Sequence, residues 1–113
     1  MTSDKQDQAT PPARPHDLFT LFYDEHQSLR SSGSREAADL YYWAADQMDG
    51  LFKGQDMGSW VDLYQRIIQG LGVQRGRLQH DTAAIEACDV IAEIINEQIF
   101  LVVNFRMKGF RKQ

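Results

Sequence analysis

The segment from Asp81 or Thr82 to about Phe105 has the strongest helical pattern in the chain. At about 100° per residue, its small and apolar side chains fall on one stripe and four acidic side chains fall opposite. The stripe consists of Ala84, Cys88, Ile91, Ile95, Ile99 and Val102, and the acidic residues are Glu86, Asp89, Glu93 and Glu97. A helix with one apolar face buries that face against other elements, so the segment predicts a helix of a packed bundle.

The end of this segment is apolar on every side, from Ile99 to Val103. A helix that is apolar all round is buried all round, so either other elements or a second subunit must cover it. A domain of this size has little surface to spare for covering it unaided. We therefore predict a homodimer whose interface includes Ile99, Phe100 and Val103. A terminal strand from Phe100 to Phe105 is the competing prediction.

Three earlier segments also have helical periodicity. The first begins near Asp17, a possible N-cap, and ends in the run Ser31–Ser34, which offers the next cap. The second covers about residues 36–52. The third starts at the sequence Ser59–Asp62, which has the form of a capping box with Asp in the usual Glu position. Its end is uncertain because of three glycines that we interpret as loop residues: Gly70, Gly72 and Gly76.

Each of these segments has a face of apolar residues at helical spacing. The first face contains Leu18, Phe22 and Leu29, with Phe19 and His26 beside it; the second contains Ala37, Tyr41, Ala44, Met48 and Phe52; the third contains Trp60, Tyr64, Ile67 and Leu71. At the border of its face, His26 is expected to be a partly buried histidine with a hydrogen-bond partner. The predicted fold class is all-α: a compact bundle of about four helices with a disordered N-terminal tail.

Residues 1–15 are expected to form that tail, and residues 16–113 a single helical domain. The tail contains no large apolar side chain except Met1, and it holds all three prolines of the chain. Such a segment cannot offset its ordering entropy by burial, which favours a flexible chain. The 113 residues suffice for one core and are too few for two ordinary ones.

Charge is distributed unevenly along the chain, whose formal net charge is −4. Residues 104–113 carry four of the 12 basic side chains and no acidic one, so the other residues hold 8 basic and 16 acidic side chains. A body this acidic repels nucleic-acid phosphates, so direct nucleic-acid binding is not expected. The expected partner is another protein with a basic surface.

The chain contains no run of apolar residues long enough to span a membrane, and its start lacks the pattern of a secretory signal. Cys88 is the only cysteine, so an internal disulfide is impossible. We therefore expect a cytoplasmic protein without a membrane partner. Because Cys88 lies within an apolar stripe and has no base beside it, we interpret it as a small core residue rather than a nucleophile.

Paired carboxylates are the one chemical motif in the chain. Glu36 and Asp39 are three residues apart. Glu86 and Asp89 repeat this spacing, so each pair shares a helix face and is able to bind one Mg²⁺. The sequence Glu-Ala-Ala-Asp-Leu at residues 36–40 resembles the metal-binding helix of the all-α nucleoside-triphosphate pyrophosphatases. This resemblance implies that acidic helices hold Mg²⁺ against the phosphates of a nucleotide. The other interpretation is two solvated acidic faces.

The outer face of the second helix carries an uncommon combination of side chains. Tyr42 and Trp43 point away from the apolar stripe, into the sector of the acidic residues. A Trp on a polar face suits a binding hot spot; the alternative is that the tail or another helix covers it. The predicted partner-binding residues are Asp39, Tyr42, Trp43 and Asp46.

These observations favour a non-enzymatic function for the chain. The prediction is a small acidic helical module that binds another protein, of the adaptor, chaperone, immunity or inhibitor type, and no cofactor is expected for it. The alternative is a Mg²⁺-dependent pyrophosphatase-like enzyme, for which the metal ligands would be Glu36, Asp39, Glu86 and Asp89.

Overall fold

The structure, a computed structural model, describes residues 13–48 and 57–111. These residues form four helices and no strand: α1 Pro15–Ser32, α2 Arg35–Met48, α3 Met57–Arg77 and α4 Thr82–Arg111. The predicted all-α bundle of about four helices is confirmed. Residues 100–105 are helical within α4, so the competing prediction of a terminal strand is wrong. The predicted continuation of the second helix to Phe52 lies outside the described residues.

The core is built from the predicted apolar faces of all four helices. Contact is most extensive between α1 and α2 and between α3 and α4, and α2 also packs against α4. The largest side chains that are completely buried are Phe22, Met48, Tyr64, Ile67, Ile91, Ile95 and Val102. Burying this much apolar surface is the main favourable contribution to folding, and it joins the helices into one bundle.

The start of α1 differs from the predicted one by two to three residues. The helix begins at Pro15, and Arg14 is the N-cap. Asp17 occupies the third helical position, from which its carboxylate accepts a hydrogen bond of 3.2 Å from the backbone N–H of Arg14. The prediction of Asp17 as the N-cap is therefore wrong. Proline suits the first helical position, and an acid at the third position accepts a hydrogen bond from the backbone N–H of the N-cap residue.

The caps of the second and fourth helices agree with the sequence pattern. Ser34 precedes α2, and its hydroxyl oxygen accepts a hydrogen bond of 3.2 Å from the backbone N–H of Ala37. Asp81 precedes α4, and its Oδ1 accepts one of 3.0 Å from the N–H of Ala84. The Ser34 hydroxyl also donates to Asp81 Oδ2 at 3.2 Å, which joins the two caps. The hydrogen bond from Ala84 is the main reason that the pKa of Asp81 is lowered.

The third helix is longer at both ends than the pattern predicted. It begins at Met57, so Ser59 lies inside the helix and the predicted cap at Ser59 is wrong. It also continues through three glycines to Arg77, so their interpretation as loop residues is wrong: Gly70, Gly72 and Gly76. Each glycine costs a helix about 1 kcal/mol relative to alanine. Burial of Ile67 and Leu71 on the same helix outweighs this cost, because tertiary packing stabilises helices more than propensity does.

The boundary of the predicted N-terminal tail also moves. Residues 1–12 lie outside the described residues, but the three that follow belong to the bundle. Ala13 is partly buried, and its backbone N–H donates to Gln98 Oε1 on α4 at 2.8 Å. Pro15 is buried as the first residue of α1. The prediction that the tail includes residues 13–15 is therefore wrong, because Ala13 is hydrogen-bonded to Gln98 and Pro15 is buried at the start of α1.

Two truncations are expected to locate this boundary. Deleting residues 2–12 should leave the melting temperature within about 2 °C, because this sequence contains no large apolar side chain whose burial would be lost. Deleting residues 2–14 also removes the hydrogen bond from Ala13 to Gln98, at a cost of about 0.5–1.5 kcal/mol. Thermal unfolding followed by circular dichroism measures both. Equal losses from the two deletions would contradict the anchoring role of Ala13.

Candidate functional site

A cleft of about 530 Å³ lies where the end of α1 meets the beginning of α2. Only Gly33 and Ser34 separate the two helices, so the chain turns sharply there and places the side chains of both helices around one space. Seven residues line the cleft: His26, Arg30, Gly33, Arg35, Ala38, Asp39 and Tyr42. The lining combines charged, aromatic and imidazole groups, which makes the cleft the candidate functional site.

His26 joins the two walls of the cleft. Its side chain is 8% exposed, and its Nδ1 lies 2.8 Å from the backbone carbonyl oxygen of Ala38. A carbonyl oxygen only accepts, so Nδ1 must carry the hydrogen and donate it. In the neutral imidazole, Nε2 is therefore the nitrogen without hydrogen. The expectation of a partly buried histidine with a hydrogen-bond partner is confirmed.

Aromatic rings continue from the cleft along α1. The ring of Tyr42 lies 5.0 Å from that of His26 at an angle of 58°, and Tyr23 lies 5.8 Å from His26 and 6.4 Å from Tyr42. Phe19 stacks on Tyr23 at 5.8 Å. We call these four residues the aromatic cluster. Both tyrosines are exposed, Tyr42 to 50%, so stiff ring surface is available to a partner.

The charged side chains of the cleft are not paired with one another. Arg30 lies in the last turn of α1 and Arg35 is the first residue of α2, with Asp39 one turn further on. Within residues 13–48 and 57–105, the one ion pair joins Arg75 and Asp89 at 2.9 Å. Arg30, Arg35 and Asp39 therefore keep exposed, uncompensated charges around one concave space.

Of the four predicted partner-binding residues, two line the cleft and two lie outside it. Asp39 and Tyr42 line the cleft, and Asp46 is exposed outside it. Trp43 is partly buried, and its indole packs on α3 so closely that a Cβ atom added to Gly70 would lie 2.7 Å from its Cη2. The stated alternative, that another helix covers Trp43, describes this contact.

The carboxylates of the metal-binding hypothesis do not converge. The part of the chain that the structure describes contains no group of three or more His, Cys, Asp or Glu side chains placed to hold a metal ion. Asp89 is paired with Arg75 instead. Glu86 lies near Tyr41, whose pKa is raised by burial first and then by the charges of Glu25 and Glu86. The described residues therefore do not bring the four carboxylates of the alternative enzyme hypothesis together in one metal-binding group.

The predicted dimer interface is partly covered by the bundle itself. Ile99 packs against the core, whereas Phe100 is 66% exposed and Val103 is 45% exposed. Two of the three predicted interface residues are thus open to solvent in the described part of the chain. Isolated exposed apolar residues are common on protein surfaces, so they define a surface to test rather than an interface.

The remaining reactive or polar groups of the core are enclosed. Cys88 is buried, and burial raises the pKa of its thiol, as expected for a small core residue. Two buried polar atoms lack a hydrogen-bond partner in the described structure, Nε1 of Trp60 and the hydroxyl of Tyr64. Burial raises the pKa of Tyr64, so this hydroxyl stays protonated.

Three of the charged and aromatic residues of the site were not singled out from the sequence: Tyr23, Arg30 and Arg35. In the sequence, Arg30 and Arg35 flank the run Ser31–Ser34, in a chain where acidic residues outnumber basic ones. Two arginines on either side of a short turn are the signal that indicates this site, because a short turn brings the ends of its helices together.

Comparison of the chain with protein-family models, with curated proteins and with solved structures finds no match. Among the described helices, none combines the length and apolar character needed to cross a membrane.

Proposed function

We propose that this chain is a non-enzymatic protein-binding module whose contact surface is the aromatic cluster together with the α1–α2 cleft. The main support for the proposal is the position of Tyr42. This residue is half exposed, and its ring lies 5.0 Å from the ring of His26 at the cleft. A ring held in place loses little conformational entropy on binding, so its contact area contributes more to affinity. Tyr and Arg are also enriched among residues that dominate binding energy.

The charge of the chain supports a partner with a basic surface. The formal net charge of −4 attracts such a partner at long range and raises the association rate, an effect that salt weakens. Adaptors, chaperones, immunity proteins and inhibitors share this small acidic build. A cytoplasmic location is part of this proposal, since Cys88 is a buried, unpaired thiol.

The experiment that tests the proposal is capture of the partner from the native host, followed by affinity measurement with the purified partner. Tyr42→Ala is expected to weaken binding about 30-fold or more, which corresponds to about 2 kcal/mol for a hot-spot residue. Val73→Ala is the control, because Val73 is also exposed but lies on α3 outside the cleft. Equal binding by wild type and Tyr42→Ala would contradict the proposed surface.

Tyr42 is a better probe than Trp43, because truncating Trp43 would also remove its packing on α3. Thermal stabilisation by Mg²⁺ with a nucleotide, together with pyrophosphate release, would instead support the enzyme alternative. In that case, Asp39→Asn should also reduce pyrophosphate release.

We also propose that the chain forms a homodimer through Ile99, Phe100 and Val103. Sedimentation at micromolar concentration is expected to give about twice the monomer mass of 13.0 kDa. Phe100→Asp should dissociate the dimer, because an unpaired charge would enter a desolvated contact. Since Phe100 is 66% exposed in the single chain, the variant should keep the helical content of the monomer. A wild-type monomer in this experiment would rule out the dimer.

A further inference from the structure

We infer that the α1–α2 cleft binds an anionic side chain of the partner, a carboxylate or a phosphate monoester, between the guanidinium groups of Arg30 and Arg35. This inference rests on the proposed function, because it assigns the chemical class of the group that the partner inserts. The partner is thus expected to have a basic surface with one anionic side chain that enters the α1–α2 cleft.

The position of the two arginines is the first argument. They come from two helices and line the same cleft of about 530 Å³, which has room for a side chain of the partner. The walls of the cleft are helices, and the hydrogen bond of 2.8 Å from His26 to the Ala38 carbonyl joins them. The site is therefore largely formed before a ligand arrives, which reduces the entropy lost on binding.

The charge state of the two arginines is the second argument. Arg75, elsewhere on the surface, already has Asp89 at 2.9 Å, whereas Arg30 and Arg35 form no ion pair with any described residue. A guanidinium presents a planar set of donors that matches carboxylate and phosphate oxygens. The two positive charges of Arg30 and Arg35 exceed the single negative charge of Asp39 in the cleft. The cleft therefore favours an anion although the whole chain is acidic.

The other side chains of the cleft determine how the anion is held. Tyr42 offers a ring surface for the carbon stem of the inserted side chain, and a hydroxyl that can donate to its oxygens. Asp39 lines the same space and repels an anion. Its removal is therefore expected to strengthen anion binding, which is opposite to its effect if Asp39 were a metal ligand.

The test is a titration of the full-length, ¹⁵N-labelled protein, followed through the backbone amide signals of Gly33 and Ala38 at constant ionic strength. Three probes are compared: N-acetyl-glutamate methylamide, N-acetyl-phosphoserine methylamide and the neutral N-acetyl-glutamine methylamide. At least one anionic probe is expected to shift both signals saturably, with dissociation constants in the millimolar range. The glutamine probe should not shift them. A response to phosphoserine alone supports a phosphorylated partner, and a response to glutamate supports an acidic one.

Three substitutions in the cleft identify the groups responsible. Arg30→Gln and Arg35→Gln are each expected to weaken binding about tenfold, and Asp39→Asn to strengthen it about twofold. Arg66→Gln is the matched control, because Arg66 is an exposed arginine that does not line the cleft. If Arg35→Gln disturbs the start of α2, Arg35→Lys keeps the charge but loses the planar donor set, and it should bind the anion more weakly than wild type.

Equal shifts with the glutamine probe, or unchanged affinity in both Arg30→Gln and Arg35→Gln, would overturn the inference. This outcome is distinguishable from failure of the proposed function. Partner binding that depends on Tyr42, without an anion response, leaves the protein-binding surface in place and removes only the anion site.

Discussion

Phe22→Ala is expected to lower the free energy of unfolding by about 3–5 kcal/mol. Phe22 is completely buried, and its ring lies 6.1 Å from that of Tyr41 at an angle of 49°, which joins α1 to α2. Truncation to alanine removes this contact and leaves a cavity that the surrounding helices fill only in part. Because a domain is typically stable by about 5–15 kcal/mol, this single change removes a large share of the total.

Leu21→Ala is the matched control for this prediction. Leu21 precedes Phe22 on the same helix but is 48% exposed, so its truncation is expected to cost under about 1 kcal/mol. Urea unfolding of both variants, analysed for the midpoint and the slope, measures the difference. Similar losses at the two positions would mean that α1 is not packed on α2 through Phe22.

The consequence for the site follows from the same contact. The cleft exists only while α1 and α2 stay together, since its walls come from both helices. The response of the Gly33 and Ala38 amides to the anionic probes should therefore disappear at a lower urea concentration in Phe22→Ala than in wild type.

Gly70→Ala is expected to destabilise the protein by about 1–2 kcal/mol, although alanine is the better helix former. A Cβ atom at Gly70 would lie 2.7 Å from Cη2 and 2.9 Å from Cζ2 of the Trp43 indole. Carbon atoms in favourable contact are about 3.5–4.0 Å apart, so the indole would have to move. The strain of that movement outweighs the gain in helix propensity.

Gly72→Ala, two residues further along the same helix, is expected to have the opposite sign. A Cβ atom at Gly72 meets nothing within 4 Å, so only the propensity gain of about 0.5–1 kcal/mol applies. Thermal unfolding should place the two variants on opposite sides of wild type. In a Trp43→Leu background, the cost of Gly70→Ala should largely disappear. Destabilisation by both substitutions would show that the contact with Trp43 does not determine the effect.

The helices and their buried faces were predictable because they depend on regularities within short stretches of chain. A stripe that repeats every 3.6 residues leaves a helix only one face to bury, and the stripe from Ala84 to Val102 lies in the core as expected. The cap at Ser34 was predictable for the same reason, since its hydrogen bond spans only three residues.

The boundaries that depend on competing local signals were predicted less well. Asp17 is suited to two cap positions, and the proline before it decides between them. The glycines of α3 weaken a helix on their own, but burial of neighbouring apolar residues keeps the helix continuous through Gly70. At the start of α1 the deciding residue is a local one, Pro15, whereas in α3 it is tertiary packing that keeps the helix continuous.

Asp39 and Tyr42 of the candidate site were predicted from the sequence, but which side chains surround them was decided by the tertiary structure. Helical spacing places Trp43 at an angle on its own helix, but it does not reveal which neighbour lies at that angle. Here the neighbour is Gly70 of α3, whose missing side chain leaves space for the indole. Arg30 and Arg35 are exposed residues of two different helices, and they line one cleft because the turn between these helices is short. Meetings of this kind depend on how the helices pack, and helix packing is determined by side chains distant in the chain.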